Sequence, residues 1–153
     1  MPNNVLLLVL ILNAIWFAMG FYAFYLRRRV FAKVVVPKKE DRNNSAYEAV
    51  IESGRFMGGF NFALSALNIM LVFNFGGFDK GSQWATLLIF NALGHGSQFV
   101  GNIPMALQNR HGVGLWNVYK GVMLRIFVID FTLMVFNGVL AVSFLYSSTF
   151  VVS

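Results

Sequence analysis

An all-α, integral membrane four-helix bundle is the fold class that this sequence predicts, on three observations. Hydrophobic residues make up 58% of the 153 positions and charged residues only 12%, well outside the usual balance of a soluble domain. Apolar stretches at about 5–26, 54–75, 84–107 and 121–146 each approach the ~20 residues that cross ~30 Å of hydrocarbon at ~1.5 Å per residue. Basic residues crowd two of the connections between these stretches and avoid the other. No length remains for a soluble module, so a single transmembrane domain over residues 1–153 is expected.

The first stretch, Val5 to Tyr25, carries no charge, and the triple arginine Arg27-Arg28-Arg29 follows it. A secretory signal peptide places its basic residues first, so a retained first helix is expected. Residues Arg27 to Val36 either continue that helix or lie on the membrane surface, with Pro37 ending them and Lys38 to Ser45 forming a polar loop. The second stretch opens with Gly54-x-x-x-Gly58 and continues through Gly59, Ala63 and Ala66, a small-residue face on which another helix can pack closely. Phe75-Gly-Gly-Phe-Asp-Lys-Gly-Ser82 is short and Gly-rich, which predicts an antiparallel hairpin of the second and third helices.

Orientation follows from charge. Eleven of the twelve Lys and Arg residues fall at 27–55 and 108–125, and only Lys80 lies on the opposite side. Cytoplasmic loops carry this excess, so residues 27–53 form a cytoplasmic loop and both termini are non-cytoplasmic. Tyr22, Tyr25, Trp116 and Tyr119 then mark the inner interface, and Trp84 and Tyr146 the outer one. The sequon Asn43-Asn44-Ser45 falls on the cytoplasmic side and is read as a chance match.

The candidate functional residues are the polar side chains at membrane depth. Asn91, His95, Gln98 and Asn102 recur at steps of four, three and four, which places them within an arc of about 60° on one helix, and Asn109 extends the line inward. Such a stripe faces protein rather than lipid, either as hydrogen-bonding glue worth about 0.6 to 2 kcal/mol per residue or as a ligand contact. Asp130 lies in the middle of the fourth stretch, where a carboxylate costs about 2.5 to 3.5 kcal/mol on insertion scales. Arg125 is on another side of that helix, so the partner of Asp130 comes from elsewhere. Counting ~1.5 Å per residue from the inner edge puts Asp130 level with Gln98, one turn from His95 and Asn102. Asn137 continues the face of Asp130 outward. On the second helix Asn61 lies deeper than Arg55, and the two close a polar chamber with the stripe and Asp130. Asn61, Asn91, His95, Gln98, Asn102, Asp130 and Arg55 are therefore the expected ligand-binding residues.

Several functions are disfavoured. Without cysteine there is no disulfide, thiolate nucleophile or iron–sulfur cluster, and one histidine with one carboxylate at depth does not make a metal site, so none is expected. The net charge of +6 is a topology signal rather than a nucleic-acid footprint. No nucleophile elbow, phosphate-binding Gly loop, HExxH or catalytic carboxylate pair is present, so catalytic residues and cofactor stay unknown and an enzyme is the less favoured class.

Arg55-Phe-Met-Gly58-Gly59, Ala92-Leu-Gly94-His-Gly-Ser97 and Gly101-Asn102-Ile-Pro104 give the chain a resemblance. It resembles the small four-helix bacterial membrane proteins of the DoxX-like group, many of them uncharacterised, with His95 standing where that group has an arginine. In size and deduced topology it is also similar to the trimeric glutathione-linked membrane enzymes of eicosanoid metabolism. Their Arg-x-x-x-Asn-x-x-Glu pattern is missing, because Gly59 and Phe62 follow Arg55, which argues against that activity. The expectation is a binding or accessory subunit of the bacterial cytoplasmic membrane. Its polar chamber would hold a lipid-like or quinone-like ligand or a partner helix, in contact with membrane lipids and as a homo-oligomer or part of a larger complex. A membrane enzyme acting on a lipophilic substrate and proton or ion passage through an oligomer are the alternatives.

Overall fold

The computed structural model describes residues 2–146; residue 1 and residues 147–153, with the C-terminus of the predicted domain, lie outside the described residues. Those residues are all-helical with no strand. Helix α1 spans Pro2–Phe21 and runs into a π-helical segment, Tyr22–Leu26, before α2 at Arg28–Val35. The longer helices α3 (Ser45–Phe73), α4 (Gly81–Arg110) and α5 (Gly121–Tyr146) follow.

Three helices are long and apolar enough to cross a membrane, over Asn4–Leu26, Ser45–Phe73 and Gly121–Tyr146. Helix α4 is as long, 30 residues, but its amides, His95 and glycines dilute its apolar content.

Of the two courses expected for the first connection, continuation of α1 is excluded, and α2 ends just before Pro37. The Arg27 N–H donates to the Tyr22 carbonyl at 2.8 Å, five residues back, and Arg27 then leaves the helical region, so α2 does not continue α1. It packs instead on α3, with Ala32 buried against Tyr47 and Ile51. The Arg42 guanidinium closes the exposed end of α2, donating to the carbonyls of Val36, Pro37 and Lys33 at 2.7, 2.7 and 3.1 Å. Helix α3 begins at Ser45 rather than near 54 because the Asn44 side chain caps it, accepting from the Tyr47 N–H at 2.9 Å. Its first turns are polar outside and bury only Tyr47 and Ile51, so no continuous apolar run announces them.

Each long helix presents a seam with three- and four-residue spacing. On α3 the buried positions are 47, 51, 54, 58, 61, 65, 68 and 71, and on α4 they include 84, 88, 91 and 95. Close backbone packing joins α1 to α3 and α4 to α5, while α1 also meets α5. The second and third apolar stretches turn back on each other through a short loop, with Asn68 meeting Asn91 and Leu71 packed by Trp84 and Leu88, but α3 and α4 each pack their backbone chiefly on another helix. Gly54 and Gly58 are what let α3 lie against the π segment, since a Cβ at Gly58 would stand 2.8 Å from the Tyr25 backbone nitrogen. Gly59 faces open space.

At one end Leu6 and Leu10, Leu71, Trp84 and Leu88, and Ala141 and Phe144 form an apolar core contributed by all four long helices. Trp84, expected as an interfacial anchor, is fully buried there beneath Phe75 and Phe78, whose rings lie 5.4 and 5.0 Å away. The outside of the bundle is at least as apolar as its inside, with Phe56, Phe60 and Phe73 of α3 exposed while Asn13, Asn68, Asn91, His95, Asp130 and Asn137 are fully buried.

Gly58→Ala should lower the thermal unfolding midpoint in detergent, at a cost of about 1–3 kcal/mol from forcing α3 off the Tyr25 backbone. Gly59→Ala, one position on, should leave it unchanged or slightly raised; equal losses would contradict this packing.

Candidate functional site

The buried polar residues form one hydrogen-bonded cluster from four helices. Asp130 on α5 is fully buried, and its Oδ1 accepts from the Trp16 indole N–H of α1 at 2.8 Å and lies 3.0 Å from His95 Nδ1 of α4. His95 Nε2 reaches Asn13 Oδ1 of α1 at 3.1 Å. Asn13 and Asn137 exchange two amide hydrogen bonds, 2.9 and 3.0 Å, and Asn68 and Asn91 exchange two more, 2.9 and 3.1 Å. Asn13 Nδ2 joins the two pairs through Asn68 Oδ1 at 3.4 Å. Phe17 stacks on the His95 ring with centroids 4.5 Å apart, shielding it on one face.

Backbone carbonyls set the polarity of this cluster. The amide nitrogens of Asn137 and Asn68 donate to the carbonyls of Leu133 and Leu64, at 2.8 and 2.9 Å, so their oxygens face Asn13 Nδ2. Asn13 Oδ1 is therefore turned to His95, and the proton of that contact belongs to Nε2. One proton remains for the bond between His95 Nδ1 and Asp130 Oδ1. On nitrogen it makes an imidazolium–carboxylate pair and on oxygen a neutral pair; in both cases the net charge is zero. A neutral unit is what an apolar interior tolerates at least cost.

One atom is left over. Asp130 Oδ2 is buried and has no hydrogen-bond partner among the described residues, whereas its sister oxygen has two. An unpaired buried acceptor costs about 1–3 kcal/mol. Trp16, partly exposed, covers Asp130 where α1 meets α5.

The structure divides the expected site. Asn91, His95 and Asp130 belong to one cluster, in which Asp130 meets His95, one turn from the counted level, and Trp16. Asn102 accepts from the Trp116 indole at 3.2 Å, and Asn109 holds the loop after α4 through Val113, Trp116 and Val118. The inner half of the stripe thus fastens a loop, while Gln98 is partly exposed and its side chain makes no hydrogen bond among the described residues. Asn61 is buried, but among the described residues its side chain bonds only to the Met57 carbonyl of its own helix, at 2.8 Å. Arg55 is half-exposed and pairs with Glu52 at 2.8 Å, because a carboxylate one turn away is a nearer partner than Asp130 across the bundle. Two recesses flank the bundle without reaching Asp130 or His95. One, of about 210 Å³, lies at Leu26–Val30, and an apolar one of about 270 Å³ lies between α1 and α3. No three His, Asp or Glu side chains converge among the described residues.

Asn13, Trp16 and Asn68 are the residues that sequence reasoning missed. Asn13 is the one amide between Val5 and Leu26, and the depth argument applied to Asp130 applies to it equally. Asn68, at the far end of the 61, 65, 68 spacing on α3, could have been found by the same rule. Compared with protein-family models, curated proteins and solved structures, the chain gives no match.

Asn13→Ala removes the partner of His95, Asn137 and Asn68 together and should destabilise the bundle by about 1–3 kcal/mol. Asn61→Ala, which breaks only a bond within its own helix, should cost less; thermal unfolding in one detergent compares them, and a reversed order would remove the cluster from its central place.

Proposed function

We propose that the protein is an integral membrane protein of four spans, α1, α3, α4 and α5, acting as a binding or accessory subunit rather than a self-sufficient enzyme. Helix α4 qualifies as the fourth span because the polar residues of its outer half, Asn91 and His95, are fully buried and its outward side chains Ile89, Phe90, Leu93 and Val100 are apolar. The basic residues of 27–55 and 108–125 put those connections in the cytoplasm and both termini outside, in a bacterial cytoplasmic membrane.

The observation that carries the binding reading is Asp130 Oδ2. Every amide around this oxygen is paired, and Oδ2 is the atom of the cluster left without a partner among the described residues. A free buried acceptor suits a donor brought from outside: the hydroxyl or N–H of a lipid-like or quinol-like molecule, or of a partner helix, entering where Trp16 covers the α1–α5 seam. An enzyme would need a second reactive group facing the same space, and proton passage would need a continuous path from His95 to both sides. The cluster ends in asparagines that hold their protons.

Purification from the membrane followed by mass spectrometry should find a lipophilic molecule or a partner chain retained by the natural protein. Asp130→Asn should release it while circular dichroism shows the helices kept, although the unfolding midpoint falls with the loss of the His95 pair, and unchanged retention would sink the assignment. Separately, single cysteines placed at Lys38 and Asp79 should differ in whole cells. A membrane-impermeant maleimide should label position 79 alone, and labelling at 38 would reverse the orientation.

A further inference from the structure

The recess of about 210 Å³ beside the π segment is lined by Leu26, Arg27, Arg28, Arg29 and Val30. It lies at a defined depth. The apolar helix Asn4–Leu26 is 23 residues long, about 34 Å at ~1.5 Å per residue, so Arg27 stands where hydrocarbon gives way to head groups.

The three arginines are not equivalent. Arg28 pairs with Glu52 at 3.3 Å and Arg29 with Glu48 at 3.4 Å, both on the first turns of α3, while Arg55 shares Glu52 at 2.8 Å. Arg27 has no acidic partner among the described residues, and its guanidinium lies 5.9 Å over the Tyr22 ring. The break after the π segment separates it from the carboxylates of α3 and leaves its five donors free at the recess. Leu26 and Val30, both exposed, give the same recess an apolar rim.

We propose that this recess binds the phosphate of an anionic phospholipid head group, with the Arg27 guanidinium as the principal donor, Arg28 and Arg29 supplying further positive potential, and Leu26 and Val30 against the upper acyl chain. A planar guanidinium fits phosphate through two parallel hydrogen bonds, and Tyr22 beneath limits its freedom before binding. A soluble phosphate would share the arginine chemistry but make no use of the apolar rim or of the position at the end of a span.

The test uses the full chain in nanodiscs of equal parts phosphatidylglycerol and phosphatidylcholine, with bound lipid read by native mass spectrometry. Phosphatidylglycerol should be retained in preference to phosphatidylcholine. Arg27→Gln should weaken that retention about fivefold, the effect of one arginine at a membrane surface. Arg110→Gln, which removes an equal charge from the end of α4 away from the recess, should change it little. Equal losses in the two variants, or no preference between the lipids, would overturn the site. Displacement of the lipid by inorganic phosphate would reassign the recess to a soluble anion and overturn the lipid assignment.

Discussion

The hydrogen bond between His95 and Asp130 is the interaction on which the interior depends. Neither group can be buried alone in so apolar a bundle without a large desolvation cost. Together, sharing one proton, they form a neutral unit. The Trp16 indole fixes the carboxylate from α1, and Asn13 fixes the imidazole from the same helix. Helix α1 therefore donates to one partner and accepts from the other in a pair that belongs to α4 and α5, which ties the α1–α3 and α4–α5 pairs into one bundle.

The amides around this pair settle orientation rather than merely add bonds. Asn68, Asn91 and Asn137 each give a proton to the carbonyl four residues back on their own helix. A side chain held that way has its oxygen aimed across the bundle, and these constraints turn Asn13 Oδ1 toward His95 Nε2, which is the donor of that contact. The unpaired Oδ2 of Asp130 stands out against this background because almost everything beside it is satisfied.

Packing and polarity share the same seams. On α3, Gly54 and Gly58 accept the π segment, Asn61 sits against Gly20, Ser65 donates to the Ala14 carbonyl at 2.9 Å, and Asn68 joins the cluster. Small and polar residues occupy positions that a water-soluble bundle fills with leucine. In a lipid-like surrounding there is little gain from burying one more apolar side chain, and close backbone approach and hydrogen bonds take over. The exposed phenylalanines of α3 are the other half of that inversion.

Much of this was legible in the order of residues alone. The helical class, the long apolar stretches and the inward face of Asn91 and His95 follow from hydropathy and a 3.6-residue period, properties that each helix carries within itself. The level of Asp130 followed from counting residues at a fixed rise. The start of α3 at Ser45, the turn of α2 back onto Tyr47 and Ile51, and the separation of Arg27 from its neighbours did not, because they rest on single caps and on contacts between segments far apart in sequence. The polar stripe of α4 is the clearest case. Periodicity placed its residues on one face, and only the neighbouring elements decided that Asn91 and His95 would meet Asn13, Asn68 and Asp130 while Asn102 and Asn109 would hold a loop. A helix determines where its side chains point; which partner each one finds is decided by the helices that pack beside it.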